Sequence, residues 1–198
     1  MIKLNAEQLR DIPPSQAKKH VRILKRNPID LILENVYDTY NIGGLFRLAD
    51  ALAVEKIYLC GQMETPPNGR IAKASIGTYK IVPWEYKASA PEAIQEMRND
   101  KLEMRNGKSS IISHLSSRIQ IIAIEQSDKS VPYTKVDYTL PVALVVGNET
   151  FGVSEETLKA VDKIVEIPMW GINKSLNVIV SAAIVAYHIA TRIRNFKW

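Results

Sequence analysis

The sequence predicts an α/β fold in which helices cover both faces of a mostly parallel sheet. First, the runs at 31–33, 119–124 and 142–146 are almost continuously apolar, as in strands buried on both faces. Second, segments of helical length separate strand-like runs, an alternation typical of parallel sheets. Third, loops with glycine and polar residues follow several runs. Because ligands of such sheets bind beyond the carboxyl ends of the strands, we expect the functional site there.

The elements can be assigned in chain order. A strand at 31–33 is followed by a helix at 44–54 and by a strand at 56–60, which Gly61 ends. Pro83 weakens a strand predicted at 81–86, and the next helix begins near Pro91. Residues 99–118 are basic and are predicted to extend this helix and then form a loop. Strands at 119–124, 142–146 and 164–167 complete the sheet.

The last helix is predicted from residue 176 to residue 193, where almost every position is apolar. Ser175 stands at the expected N-cap, since its hydroxyl can accept a hydrogen bond from a free amide of the first turn. A helix that is hydrophobic nearly all round is buried on most faces. We therefore expect it to pack against the core and against a second copy of the chain.

The composition indicates one ordinary globular domain. The 198 residues are 46% hydrophobic and 24% charged, which suffices for a substantial core. No uninterrupted apolar stretch reaches the roughly 18 residues of a membrane span, and the polar N-terminal segment does not resemble a secretory signal. Cys60 is the single cysteine, so a disulfide within the chain is excluded. We expect a cytoplasmic protein without a membrane segment.

Residues 1–27 are interpreted as a basic N-terminal arm or helix, and residues 28–198 as the main domain. The arm accounts for the whole net charge of +5. Pro13 and Pro14 can start a helix there. A polyanion such as nucleic acid is the expected partner, but a solvated helix that only aids solubility explains the charges equally well. The candidate contacts are Lys18, Lys19, Arg22, Lys25 and Arg26.

Three loops at predicted strand ends carry unusual residues. In the loop at 35–47, Gly43 and Gly44 can cradle an anion at a helix N-terminus, and Arg47 leaves the first helical turns. In the loop at 146–154, Ser154 can start the next helix. The third loop spans 166–178. A turn, a strand end or a helix cap explains each loop alone, but their joint occurrence in this order favours a functional site.

The three loops resemble the three motifs of the SpoU/TrmH branch of the SPOUT superfamily, which comprises RNA ribose 2'-O-methyltransferases. The likeness runs from about residue 28 to residue 193. Family members often continue the third motif with Ser-Val, where this chain has Ile179 and Val180. The matching residues are Asn41, Gly43, Arg47, Ala49 and Asp50 in the first motif, Val146, Gly147, Asn148, Glu149 and Gly152 in the second, and Ile167, Pro168, Met169, Gly171, Ser175, Leu176, Asn177 and Val178 in the third.

The resemblance implies a fold with a C-terminal trefoil knot and a homodimer whose active sites use both subunits. It also implies an enzyme that methylates a ribose 2'-hydroxyl in structured RNA, either tRNA or rRNA, with S-adenosylmethionine as cofactor. The arm residues would then bind RNA. The implied cofactor-binding residues are Gly147, Asn148, Glu149, Ile167, Met169, Gly171, Ser175 and Leu176, and the implied catalytic residues are Arg47, Asn41, Glu149, Ser175 and Asn177.

Arg47 is the residue on which the chemistry is expected to depend. The family proposal treats the matching arginine as a general base, but an arginine stays protonated near neutral pH. Binding the phosphate beside the target ribose and stabilising negative charge on the 2'-oxygen is a less demanding role. Asn41 is expected to orient Arg47 or the ribose. Glu149, Ser175 and Asn177 are expected to hold the loops and the substrate.

Two alternatives stay open: a SPOUT enzyme that methylates a base, and a non-catalytic RNA-binding protein of the same fold. A dinucleotide-binding or P-loop enzyme lacks support, because neither glycine signature occurs. His20, His114 and His188 are far apart in sequence, and no metal is expected.

Overall fold

The computed structural model describes residues 3–106 and 118–192, without the side chains of residues 14, 18, 22 and 100–106. Within these residues, seven strands form one sheet in the order β3-β2-β1-β6-β4-β7-β5, and every strand pair is parallel. The strands are β1 Asn27–Glu34, β2 Val54–Cys60, β3 Trp84–Lys87, β4 Gln120–Ile124, β5 Val131–Pro132, β6 Val142–Val146 and β7 Lys163–Glu166. The predicted parallel sheet is confirmed.

Helices cover both faces of the sheet. Helices α3, α4 and α7 pack with one set of strand residues, and α5 and α6 pack with the other. The helices are α1 Ala6–Asp11, α2 Pro14–Ile23, α3 Thr39–Ala51, α4 Gly69–Ser75, α5 Ala90–Asn106, α6 Glu155–Ala160 and α7 Val178–Arg192. The extension of α5 beyond residue 99 is confirmed, and the loop predicted at its end falls at 107–117, outside the described residues.

The apolar runs of the sequence have a direct structural cause. In β1, Leu31 and Leu33 belong to the core under α3 and α7, whereas Ile32 belongs to the core under α5. All three side chains are completely buried. Since successive residues of a strand point to opposite faces, two covered faces require an unbroken apolar run.

Helix α3 begins at Thr39, well before the predicted start at residue 44. Asp38 caps it, because its side chain accepts a hydrogen bond from Tyr40 N. Gly43 and Gly44 therefore lie inside the helix, and the predicted anion cradle at these glycines is wrong. A Cβ on Gly43 would lie 2.4 Å from Ala74 Cβ of α4, and a Cβ on Gly44 would lie 2.3 Å from Ile179 Cδ1 of α7. The two glycines let neighbouring helices approach α3 closely.

Helix α7 begins at Val178, and its N-cap is Asn177 instead of the predicted Ser175. The Asn177 side chain accepts a hydrogen bond from Ile179 N at 2.9 Å. The inner face of α7 is buried, but Val180 and Tyr187 are exposed on the outside. Within this chain the helix is thus buried on one side, not on most faces.

The N-terminal arm is folded against the main domain. Leu9, Ile12 and Ala17 are buried, and Lys80 Nζ donates a hydrogen bond to Arg10 O at 2.6 Å. The predicted helix start at the two prolines is confirmed by α2. The division of the chain at residue 27 stays a prediction.

Candidate active site

A pocket of about 420 Å³ lies at the carboxyl edge of the sheet. Its walls come from the ends of three neighbouring strands and the segments that follow them: residues 125–126 after β4, the loop 147–152 after β6, and Glu166 of β7 with the loop 167–177. Parallel α/β sheets bind their ligands at this edge. The position of the pocket is therefore the one that the sequence predicts.

The loop after β6 is folded tightly on itself. Asn148 and Gly152 exchange two backbone hydrogen bonds of 3.0 and 2.9 Å. A Cβ on Gly147 would lie 2.2 Å from the carbonyl carbon of Gly152, so no larger residue fits. The Asn148 side chain accepts from two backbone amides of the loop and donates to Asn35 O at 2.8 Å. The Asn148 side chain therefore holds the loop in shape.

A buried carboxylate at the end of β1 anchors the helix after this loop. Glu34 is 4% exposed. It accepts hydrogen bonds from Ser154 N at 2.9 Å, from Ser154 Oγ at 2.8 Å and from Thr157 Oγ1 at 2.6 Å. Ser154 Oγ also accepts from Thr157 N, which makes Ser154 the N-cap of α6. The prediction that Ser154 starts a helix is confirmed.

A chain of hydrogen bonds joins the three predicted motif loops. Asn41 Nδ2 donates to Glu149 Oε1 at 2.8 Å, and Asn177 Nδ2 donates to Asn41 Oδ1 at 2.9 Å. These partners are 108 and 136 positions apart in the sequence. Asn41 is buried, and both ends of its amide are engaged. The fold therefore brings together Asn41, Glu149 and Asn177, three of the predicted catalytic residues.

The Glu149 carboxylate binds the N-terminal end of α3. It accepts from Tyr37 N and Asp38 N, both at 3.1 Å. Partial burial acts to raise the pKa of Glu149, but the hydrogen bond from Asn41 and those from backbone amides outweigh it and hold the pKa below its ordinary value of 4.5. The carboxylate is therefore ionised at neutral pH. A side chain of the protein itself occupies the helix N-terminus where an anion site was predicted.

Arg47 lies six residues after Asn41 on α3, so its side chain projects about 120° around the helix axis from that of Asn41. This spacing places it about 9 Å further along the helix axis. Its side chain is exposed, and its guanidinium has no hydrogen bond or ion pair to another described residue. Gly44, between the two residues, packs against Ile179 of α7. Helix α3 thus carries an unengaged cation near the first turn of α7.

The loop after β7 contributes the remaining predicted residues. Ile167, Met169, Ser175 and Leu176 line the pocket together with Gly147, Asn148 and Glu149. Gly171 is the one predicted cofactor residue that lies away from the pocket, and a Cβ there would meet nothing within 4 Å. Ser175 is exposed, and its amide donates to Asn173 Oδ1 at 3.2 Å. Ser175, for which a catalytic role was predicted, therefore lies at the pocket wall.

The sequence segments that form this site match a known family. Residues 28–110 and 101–187 match the SpoU rRNA Methylase family. The chain belongs to this family.

Named relatives of this SpoU family member resemble it in sequence and in structure. The tRNA (guanosine(18)-2'-O)-methyltransferase of Aquifex aeolicus is 33% identical over 183 residues, which cover 91% of this chain and 77% of the relative. The crystal structure of the A. aeolicus TrmH/SpoU tRNA modifying enzyme superposes with a TM-score of 0.68 at 31% identity, covering 87% of this chain and 80% of that one. The SpoU methyltransferase AviRb of Streptomyces viridochromogenes, solved in complex with AdoMet, gives a TM-score of 0.72 at 23% identity and covers 87% and 61% of the two chains. This last likeness concerns the fold alone.

The basic residues of the arm differ in their surroundings. Lys19 and Lys25 are exposed. The Arg26 guanidinium instead donates to Val54 O at 3.0 Å and to Ile81 O at 2.7 Å, which is a structural role. The side chains of Lys18 and Arg22 lie outside the described part of the chain.

The sequence analysis of this SpoU family member did not identify the pocket residues that follow β4. Glu125 and Gln126 follow β4 directly and line the pocket. They are the first polar residues after the apolar run at 119–124. The rule that ligands bind beyond strand ends would have pointed to them.

Within residues 3–106 and 118–192, no helix is both long and apolar enough to cross a membrane. The same residues hold no group of three or more His, Cys, Asp or Glu side chains arranged to bind a metal ion.

Proposed function

We propose that this protein methylates a ribose 2'-hydroxyl in structured RNA with S-adenosylmethionine as the methyl donor. The observation that carries the proposal is the hydrogen-bonded chain of Glu149, Asn41 and Asn177, which joins three motif loops beside one pocket. Membership of the SpoU rRNA Methylase family supports the reaction. The A. aeolicus relative, named as a tRNA 2'-O-methyltransferase, makes tRNA the first substrate to test, and rRNA is the other candidate.

The pocket suits S-adenosylmethionine in size and in lining. Its volume of about 420 Å³ falls within the roughly 300–1,000 Å³ of small-molecule sites. Ile124, Val146 and Leu176 offer apolar surface for an adenine ring, and the carboxylates of Glu125 and Glu166 suit a positively charged ligand. The cofactor, when bound, supplies an electrophilic methyl group on a sulfonium. The residues that would hold it are Gly147, Asn148, Glu149, Ile167, Met169, Ser175 and Leu176.

The protein's own contribution is to position the ribose and to stabilise charge. Because an arginine side chain is a cation that donates hydrogen bonds, the role proposed for Arg47 is to bind the phosphate beside the target ribose and to stabilise the developing negative charge on the 2'-oxygen. Asn41 is held by Glu149 and by Asn177, which leaves its side chain little freedom to rotate. A fixed orientation of this kind lowers the entropic cost of reaching the reactive geometry. Ser175 is exposed at the pocket wall, where its hydroxyl can contact substrate.

RNA binding is proposed to depend on exposed cations of the arm. Lys19 and Lys25 are exposed and can bind phosphates. Arg26 is removed from the set, because two backbone carbonyls hold its guanidinium. Lys18 and Arg22 stay candidates from the sequence.

A homodimer is proposed from the outer face of α7. Val180 and Tyr187 are seven positions apart, lie on one side of the helix, and are 44% and 39% exposed. Trp170 and Ile172 in the preceding loop are 93% and 102% exposed. Exposed apolar side chains that cluster in one region mark interaction surfaces. A second copy would cover this face and complete the active sites. The C-terminal trefoil knot and the cytoplasmic location stay predictions.

The proposal is tested by separating cofactor binding from methyl transfer. Arg47→Ala should abolish or strongly reduce single-turnover transfer of a labelled methyl group into unmodified tRNA at saturating RNA. The affinity for S-adenosylhomocysteine in calorimetry should be unchanged, because Arg47 lies outside the pocket lining. Arg70→Ala is the matched control, since Arg70 is also an exposed helical arginine.

The arm provides the complementary measurement. Lys19→Ala and Lys25→Ala should weaken RNA binding and lower the slope of log affinity against log salt by roughly 0.7–0.9 for each lost phosphate contact. Lys163→Ala removes an exposed lysine of β7, outside the arm, and should leave the slope unchanged. Wild-type turnover in Arg47→Ala, or a protein that binds no S-adenosylhomocysteine at millimolar concentration, would refute the proposed function.

A further inference from the structure

Glu125 and Gln126 line the pocket but belong to none of the three motif loops. They follow β4, whose neighbours in the sheet are β6 on one side and β7 on the other. Both neighbouring strands lead into the loops that form the other walls of the pocket. The two adjacent residues thus stand between the loop after β6 and the loop after β7.

Glu125 is fastened to the loop after β6. Its Oε2 accepts a hydrogen bond from Val153 N at 2.8 Å, and its Oε1 accepts from Gln126 N at 2.8 Å. A Cβ on Gly152 would lie 2.1 Å from Glu125 Oε2, and Gly152 has a φ of +69°. Position 152 therefore favours glycine for two reasons: its φ is positive, and the carboxylate of Glu125 occupies the space that a Cβ would need.

Gln126 is fastened to the loop after β7. Its Nε2 donates to Lys174 O at 2.7 Å. The other hydrogen bonds of residues 167–176 join Asn173 to Ser175 within the loop. Among the described residues, Gln126 is the one hydrogen-bond partner that reaches 167–176 from another part of the chain. Residues 170–176 of the loop are exposed, and Trp170 and Ile172 almost fully so.

We propose that Glu125 and Gln126 form a clamp that fixes the distance between the loop after β6 and the loop after β7, and that this distance sets the affinity for the cofactor. The inference rests on the proposed function for the identity of the ligand. Because the residues are adjacent, the two hydrogen bonds tie one loop to the other through a short stretch of backbone. A loop that is already held in its binding conformation loses less entropy when the ligand binds. Glu125 and Gln126 are thus positioning residues.

The test replaces the donor of Gln126 and keeps the length of its side chain. Gln126→Met removes the hydrogen bond to Lys174 O without adding a charge, and Gln126→Lys restores a donor of similar reach. Gln62→Met is the matched control, because Gln62 is exposed, lies outside the pocket lining and makes no side-chain hydrogen bond to a described residue. Since Gln126 is itself exposed, these variants are expected to fold.

Two readouts are measured on the full-length protein. Hydrogen–deuterium exchange without ligand should be faster across residues 169–176 in Gln126→Met than in wild type and in Gln62→Met. Calorimetry with S-adenosylhomocysteine should show affinity weakened by about two- to tenfold, the loss expected for one neutral hydrogen bond. In the methylation assay, KM for S-adenosylmethionine should rise with kcat unchanged, and Gln126→Lys should recover part of the affinity.

The outcomes separate the clamp from the proposed function. Unchanged exchange in Gln126→Met, or a lower melting temperature without any change in KM, would overturn the clamp and leave the proposed function intact. Faster loop exchange together with a selective loss of cofactor affinity supports the clamp. If wild type binds no S-adenosylhomocysteine, the proposed function fails, and the cofactor part of this inference fails with it.

Discussion

Replacing Gly43 with alanine should destabilise the protein although alanine is the better helix former. Within a helix the substitution gains about 1 kcal/mol from intrinsic propensity. The new Cβ would lie 2.4 Å from Ala74 Cβ and 2.8 Å from Ser75 N. Ala74 Cβ and Ser75 N are fixed to the backbone of α4, so rotation of a side chain cannot move them aside. The two helices must separate instead.

The size of the effect follows from these opposing contributions. Overpacking costs about 1–3 kcal/mol in a well-packed core, and rigid obstacles place Gly43→Ala in the upper part of that range. After the propensity gain, the net loss in the free energy of unfolding is about 1–2 kcal/mol. For a chain of this length, each kcal/mol lowers the melting temperature by roughly 2–4 °C, so Gly43→Ala should melt about 2–8 °C lower than wild type.

The assay is thermal and urea unfolding followed by circular dichroism, with two comparison variants. Gly44→Ala meets only the side chain of Ile179, which can change rotamer, so its loss should be smaller. Gly69→Ala places a Cβ where nothing lies within 4 Å and should melt at or slightly above the wild-type temperature. The packing argument is refuted if Gly43→Ala melts as high as Gly69→Ala.

Two further predictions concern the motif network and the outer face of α7. Because the pKa of Glu149 is lowered in the folded state, its ionised form contributes stability above pH 4.5, and this contribution is lost as the pH falls through the folded pKa. The difference in unfolding free energy between wild type and Glu149→Gln should therefore be constant near neutral pH and shrink below pH 4.5. A difference that is equal at neutral pH and below pH 4.5 would contradict the hydrogen-bonded role. Sedimentation should give about twice 22.3 kDa for wild type and for Ile23→Asp, since Ile23 is an exposed apolar residue of α2 and does not belong to α7. Val180→Asp should sediment as a monomer, and a wild-type monomer that keeps full activity would rule out the dimer.

The sequence by itself determined the architecture, because the burial of a strand can be recognised from the consecutive residues of that strand alone. A strand covered on both faces needs consecutive apolar residues, and the runs at 119–124 and 142–146 are found as β4 and β6. The three motif loops follow the apolar runs at 31–33, 142–146 and 164–167, and their importance was predicted because ligands of parallel sheets bind beyond strand ends. Local cap chemistry also sufficed for Ser154, whose hydroxyl caps α6.

Tertiary structure decided the features that depend on a distant partner. Gly43 and Gly44 look like loop residues in the sequence, and only the approach of α4 and α7 explains them as packing residues of α3. Arg26 belongs to a basic run, yet carbonyls at positions 54 and 81 hold its guanidinium. Asn177 replaces Ser175 as the cap of α7, and the same side chain binds Asn41, 136 positions away. The periodicity of the sequence shows which face of a helix or strand is apolar. The packing of the elements decides which side chains meet at the edge of the sheet, and the site consists of these contacts between distant residues.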